Sequence, residues 1–270
     1  MRSGKVSVRG GKGRPAGALV LLALGVALAA APGWAQPQAA RDAFYRGIIE
    51  GKSGAPQKAI EYFGEAIRID PRFVLAYYNR AITLQEVGDE QRAIQDYSAA
   101  IRLEPHFADA YAGRGAAYEN LKQYDRAIKD YSEAIRITPA VALIYANRAS
   151  AHDKLGRHRE AIRDYEEARR LDPRDDDTLD AFAWLLATVA SPALRDGKRA
   201  VQVAREACEL TQWKDPNHLD TLAAAYARSG DFASAVKWQT KALEDPGFRQ
   251  LKEARERLAL YRAGKPYPPN

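Results

Sequence analysis

The chain has a single cysteine, Cys208, among 270 residues. A lone thiol makes no internal disulfide, so the fold must hold without covalent staples. Cys208 reads as a small buried residue on a helix, with an intermolecular disulfide as the other reading. β-Branched residues are sparse and helix formers dominate, which points to an all-α protein. Catalytic signatures are also missing. There is no glycine-rich phosphate loop and no G-x-S-x-G elbow. The four histidines are His106, His152, His158 and His218. No two of them stand four apart around an acid, which excludes a zincin-type helix. The carboxylates are scattered at helical spacings and read as solvated faces or ion-pair partners. No catalytic residue, metal ligand or cofactor is expected. Hydrophobic residues are 46 %, ordinary for a folded protein, so wholesale disorder is excluded.

The formal charge of +6 suggests nucleic acid until its source is found. Residues 1–35 hold Arg2, Lys5, Arg9, Lys12 and Arg14 and no acid, and these account for all but one of the six charges. The remainder has no excess with which to neutralise a phosphate backbone, so no nucleic-acid partner is expected. After the basic stretch come an apolar run from Ala16 to Ala31 and then Pro32-Gly33-Trp34-Ala35. The run is short for a membrane span, which needs roughly 20 residues. The order basic, apolar, small predicts a signal peptide cleaved after Ala35 and a periplasmic or secreted product. A membrane association follows only if that segment is retained as an anchor. No cysteine follows the run and Arg2 and Arg9 are not adjacent, which excludes a lipoprotein anchor and a twin-arginine signal.

A repeat dominates the rest. Pro71, Pro105, Pro139 and Pro173 are each 34 residues apart. Three columns keep the same step: Ala59, Ala93, Ala127 and Ala161; Phe63, Tyr97, Tyr131 and Tyr165; Ala66, Ala100, Ala134 and Ala168. Within a unit these stand at i, i+4 and i+7, one face of a helix. The proline ends that helix. Upstream, Gly54, Gly88 and Gly156 end a first helix where a left-handed residue is wanted, with Lys122 in the third unit instead. Gly47, Ala81, Gly115 and Ala149 place a small residue in the first helix, where the paired aromatic approaches.

These columns resemble the tetratricopeptide repeat family, with its small–large–small pattern closed by proline on a 34-residue period. The resemblance implies a right-handed superhelical solenoid of antiparallel helix pairs. It divides the chain into a 36–39 linker, regular repeats at 40–73, 74–107, 108–141 and 142–175, two degenerate repeats over 176–249, a capping helix at 250–264 and a tail at 265–270. The tail is expected to fray. Capping is needed because each unit buries its face only against neighbours.

Arg46, Arg80, Arg114 and Arg148 also recur at the repeat period, as do Asp96, Asp130 and Asp164. An anion-binding stripe and fork-shaped pairing between the two helices of a unit both fit. In the first unit Tyr62 stands where the aspartate would be, leaving Arg46 open.

In the family the first helices line a concave wall. The resemblance implies that this wall holds a protein or peptide, with no small-molecule cofactor. The column before the arginines is Tyr45, Asn79, Gly113 and Asn147. Asn79 and Asn147 match the family's amide clamps, which grip a peptide backbone by donating and accepting at once; bonding of neighbouring helices is the other role open to them. The remaining wall candidates are Arg41, Phe44, Ile48, Tyr78 and Ile82 toward the N-terminus, and Asp109 and Trp184 with Asp177 and Asp180 toward the C-terminus. An aromatic end and an acidic end suit an extended peptide with apolar and basic residues. The lysine–arginine set by which some members grip a C-terminal carboxylate is not reproduced. The leading expectation is thus a non-catalytic exported scaffold. A structural or assembly factor of the cell envelope, acting by self-association or glycan contact, and a non-catalytic subunit of an enzyme complex remain beside it.

Overall fold

The computed structural model describes residues 36–268; the leader with its expected cleavage after Ala35, and the last two residues, lie outside the described residues. The described residues form fourteen α-helices and one 3-10 turn, with no strand among them. They fall into two compact units, 36–140 and 141–268.

In the first unit α1 (Gln38–Lys52) pairs with α2 (Pro56–Ile69), α3 (Val74–Glu86) with α4 (Glu90–Leu103), and α5 (Ala108–Asn120) with α6 (Tyr124–Ile137). Adjacent pairs stack, α2 on α3 and α4 on α5. Local chemistry sets both ends of each hairpin. The residue before a proline is driven out of the helical region. Asp70, Glu104 and Thr138 accordingly sit at φ −129°, −135° and −132° and close α2, α4 and α6. The turns after α1 and α3 use Gly54 and Gly88 at φ +80° and +81°. The turn after α5 keeps the same shape with a side chain in it: Lys122 takes φ +59°.

The seam inside each pair is as tight as small–large alternation allows. Ala59, Ala93 and Ala127 have no exposed surface. A Cβ on Gly47 would lie 2.6 Å from the Phe63 ring, and one on Gly115 would lie 2.8 Å from the Tyr131 ring. Those glycines let the rings rest on helix backbone. Phe63, Tyr97 and Tyr131 are 2 % exposed or less. Burying each contributes about 1.5–3 kcal/mol, so the column of aromatics is a main source of stability.

In the second unit α7 (Ala142–Lys154) pairs with α8 (His158–Leu171), α9 (Asp176–Thr188) with α10 (Gly197–Leu210), and α11 (Pro216–Ser229) with α12 (Phe232–Ala242). The connection from α9 to α10 is long and holds the 3-10 turn Pro192–Leu194. Arg195 braces it by donating to the carbonyls of Val189 and Ala190. Tyr165, Leu179, Phe182, Leu186, Val203 and Leu222 form the shared core. Cys208 is buried there, and burial pushes its thiol up to about 12. A protonated, inaccessible thiol leaves no intermolecular disulfide to form.

Two helices, α13 (Pro246–Arg249) and α14 (Lys252–Arg262), follow α12, broken where Leu251 turns extended. The tail that was expected to fray is instead tied down as far as it is described. Tyr267 packs its ring 5.6 Å from that of Trp184, and its carbonyl accepts a 2.7 Å bond from Arg228. Beneath it lies a buried polar knot. Arg257 Nε donates to Asp220 Oδ1 at 2.7 Å, and Gln239 Nε2 donates to the same oxygen at 2.7 Å and to the Ala254 carbonyl at 3.0 Å. Asp220, Gln239 and Arg257 are all 2 % exposed or less, so the knot joins α11, α12 and α14 out of water. Among the described residues no helix is long and apolar enough to cross a membrane.

Candidate partner-binding face

The arginine column is committed to structure in the three pairs that retain an aspartate. Arg80 Nε and Nη2 donate to Asp96 at 2.6 and 2.8 Å, Arg114 to Asp130 at 2.7 and 2.8 Å, and Arg148 to Asp164 at 2.8 and 2.7 Å. Each guanidinium also lies over a tyrosine three residues earlier, Tyr77, Tyr111 or Tyr145, at 5.7–5.9 Å. The arginines are thereby held between a carboxylate fork and a ring, which leaves no anion-binding stripe. The hydrogen bond to Asp96 holds the Arg80 guanidinium above its usual pKa. Arg46 is exposed and makes no ion pair with another described residue. The stacking tyrosines were missed in the sequence, although Tyr77, Tyr111 and Tyr145 recur at 34.

A second ladder ties the same helices. Tyr97 donates its phenol proton to Gln85 Oε1 at 2.7 Å, and Tyr131 to Glu119 Oε2 at 2.9 Å. Burial pushes both phenols well above their usual range, so they stay donors.

The wall residues named from the sequence separate into two sets. Phe44, Tyr78 and Ile82 are buried, at 7 %, 4 % and 5 % exposure, and offer a partner almost no surface. Phe44 packs 4.9 Å from Phe73, and Tyr78 packs 4.8 Å from Phe107. Phe73 and Phe107 precede α3 and α5 by one residue and plug the junction between successive pairs. Their 34-residue spacing was the overlooked signal. Trp184 is half-buried in the second unit, with Arg257 and Tyr267 against its ring.

Asn79 is also inside, at 8 % exposure, and its amide donates to the Leu75 carbonyl of its own helix at 2.8 Å. Asn147 is half-buried on α7 of the second unit. Gly113 interrupts this column for a packing reason, since a Cβ there would lie 2.5 Å from the Tyr97 ring.

On the accessible side stand Arg41, Tyr45, Ile48 and Asp109. Tyr45 is 54 % exposed and Ile49 64 %, with Ile48 half-buried beside them. Spaced at i, i+3 and i+4, they form one apolar patch on α1. Arg41 is half-buried and donates to the Gln36 carbonyl and the Gln38 side chain. Asp109 opens α5, half-buried, and makes no hydrogen bond or ion pair with another described residue. Burial raises its pKa. The first unit therefore presents an apolar patch on α1 and an uncompensated carboxylate on α5.

Known proteins identify the architecture. Tetratricopeptide repeat profiles match residues 108–140 and 142–175, residues 86–122, and residues 62–95. No curated protein matches the chain. Among solved structures, MamA from Desulfovibrio magneticus RS-1, residue 41 to its end, has a TM-score of 0.61 at 23 % identity, covering 67 % of this chain and 99 % of that one. YrrB, described as a TPR protein with an unusual peptide-binding site, has a TM-score of 0.59 at 21 % identity over 72 % of this chain and 97 % of its own. Cut9 in the APC/C hetero-tetramer Cut9–Hcn1 has a TM-score of 0.64 at 17 % identity, covering 82 % of this chain and 42 % of the other. At these identities the likeness is one of fold. The helix pairs, their 34-residue period and the matched profiles together make this chain a tetratricopeptide repeat protein of the α-solenoid class.

Proposed function

We propose that the chain is a non-catalytic, exported scaffold that holds a protein or peptide on the face formed by α1, α3 and α5. The observation that carries this reading is the desolvated, unpaired carboxylate of Asp109 in the same unit as the exposed apolar patch of Tyr45, Ile48 and Ile49. A half-buried charge without a partner costs stability, and a basic ligand group supplies the missing partner. The occupant is an extended peptide segment with apolar residues beside a lysine or arginine. YrrB, of like fold, is described as having a peptide-binding site, which agrees with this choice. Asn79 contributes only if its amide leaves the Leu75 carbonyl. Export rests on the order of residues 1–35, which calls for a mature N-terminus at Gln36 in the periplasm or outside the cell.

The test is selection from a random peptide library on the purified mature chain. The reading expects enrichment of segments that pair apolar side chains with a basic one, and loss of that enrichment on Asp109→Lys. Enrichment that ignores Asp109→Lys counts against this face. A second reading, self-association, draws on the exposed Tyr45 and Ile49 alone. Sedimentation of wild type and Tyr45→Asp separates it, because a dimer held by this patch would dissociate in the variant.

A further inference from the structure

We propose that Asp176, Asp177 and His218 form a binding site for one divalent transition-metal ion of the zinc type. Asp176 and Asp177 lie in the first turn of α9 and His218 in the first turn of α11, so an ion there would staple two helices whose residues stand far apart in sequence. That separation is why no local motif announced it. One ligand atom from each residue lies within 4.8 Å of the other two. His218 Nε2 and Asp176 Oδ2 are 3.8 Å apart, too long for a hydrogen bond. Two ligands at zinc bond lengths of about 2.0–2.2 Å lie roughly 3–4 Å from one another.

The independent observation is the imidazole itself. His218 is only 3 % exposed. Its Nδ1 lies 3.4 Å from Thr211 Oγ1. That hydroxyl donates its one proton to the carbonyls of Ala207 and Cys208, each at 3.2 Å. The oxygen is then left to accept from Nδ1, which is the tautomer with the ring proton on that nitrogen. Nε2 is then the lone-pair atom, and it has no hydrogen-bond partner among the described residues. That nitrogen, on a side chain almost wholly out of water, faces the Asp176 carboxylate at 3.8 Å, an arrangement that a shared cation stabilises. A ring nitrogen held by a neighbouring oxygen while the other faces the ion is the common pattern of a metal-ligating histidine. Mixed nitrogen and oxygen donors favour zinc-type ions over calcium or magnesium, which take oxygen. Three protein ligands leave the remaining coordination to water.

Titration of the untagged full chain with zinc chloride in a non-chelating buffer, read by calorimetry and by thermal melting, tests the site. One zinc per chain is expected, with a melting temperature that rises as zinc is added. Asp176→Asn and Asp177→Asn should each weaken binding by about tenfold or more and suppress that rise. His218→Ala should abolish both. Asp177 is exposed, so its variant folds and decides the matter even where His218→Ala does not. Absence of binding overturns the proposal, and so does zinc bound equally well by both asparagine variants.

Discussion

Arg114 reaches from α5 to Asp130 on α6 through two parallel hydrogen bonds of 2.7 and 2.8 Å, while its guanidinium covers Tyr111 at 5.7 Å. The side chains are 19 % and 9 % exposed, so water screens the pair only in part. Arg114→Lys keeps the charge and loses the fork and the stacking. It should cost about 1–2 kcal/mol in urea unfolding, given that hydrogen bonds to charged groups contribute about 1.5–3 kcal/mol. Asp130→Ala should cost more than Arg114→Lys, because it strands a half-buried cation. Equal stability of all three proteins would show the column to be ornamental.

Lys122 holds the left-handed conformation that Gly54 and Gly88 hold in the sister turns. A side chain there costs roughly 1–2 kcal/mol relative to glycine, offset by about 0.5–1 kcal/mol of unfolded-chain entropy. Lys122→Gly should therefore stabilise the chain by about 0.5–1 kcal/mol, and Gly88→Ala should destabilise it. A lower midpoint for Lys122→Gly in the same denaturant curve contradicts this account of the turn.

The buried knot at the C-terminus gives a third expectation. Arg257→Met removes the cation from an oxygen that Gln239 also addresses, and leaves Asp220 charged and buried. Breaking such a pair costs about 3–5 kcal/mol. The double variant Arg257→Met/Asp220→Leu should recover most of that loss. Thermal melts of the single and double variants read the difference; a single variant as stable as wild type would mean the knot contributes nothing.

Asp109 supplies the pH dependence. Its pKa is raised in the folded chain by burial, so folding disfavours the charged form. Such a group favours the fold fully below its unfolded pKa, and that contribution is lost as pH rises through the folded value. Asp109→Asn should accordingly be more stable than wild type at pH 7. The advantage should vanish below the unfolded carboxylate range, near pH ~3.5. Stability curves for the two proteins between these limits check the sign.

Much of the repeat architecture could be read from the columns, because each column answers a steric demand. Pro71 and Pro105 force extended residues before them, and Gly47 and Gly115 admit the rings of Phe63 and Tyr131. The Arg–Asp pairs were legible because both partners repeat at the same period and differ by a fixed step. The candidate face was less legible. Periodicity says which residues share a helix side, but not how far the next pair covers them. Phe44, Tyr78 and Ile82 were placed on the wall, whereas Phe73 and Phe107 fill the junctions and bury Phe44 and Tyr78. The Asp220–Arg257 contact and the docking of Tyr267 join residues without a repeat relation, so no column carried them.

Binding of a library-selected peptide is the most direct measurement of the central claim. Calorimetric affinity should be compared among wild type, Asp109→Asn and Tyr45→Ala, each shown by melting to be folded. The account predicts that Asp109→Asn, although more stable, binds a basic peptide about tenfold more weakly, a loss of about 1.4 kcal/mol. Tyr45→Ala should weaken the same peptide while leaving the melt nearly unchanged, since its ring is 54 % exposed. Unaltered affinity in both folded variants would contradict the claim that this face holds the partner.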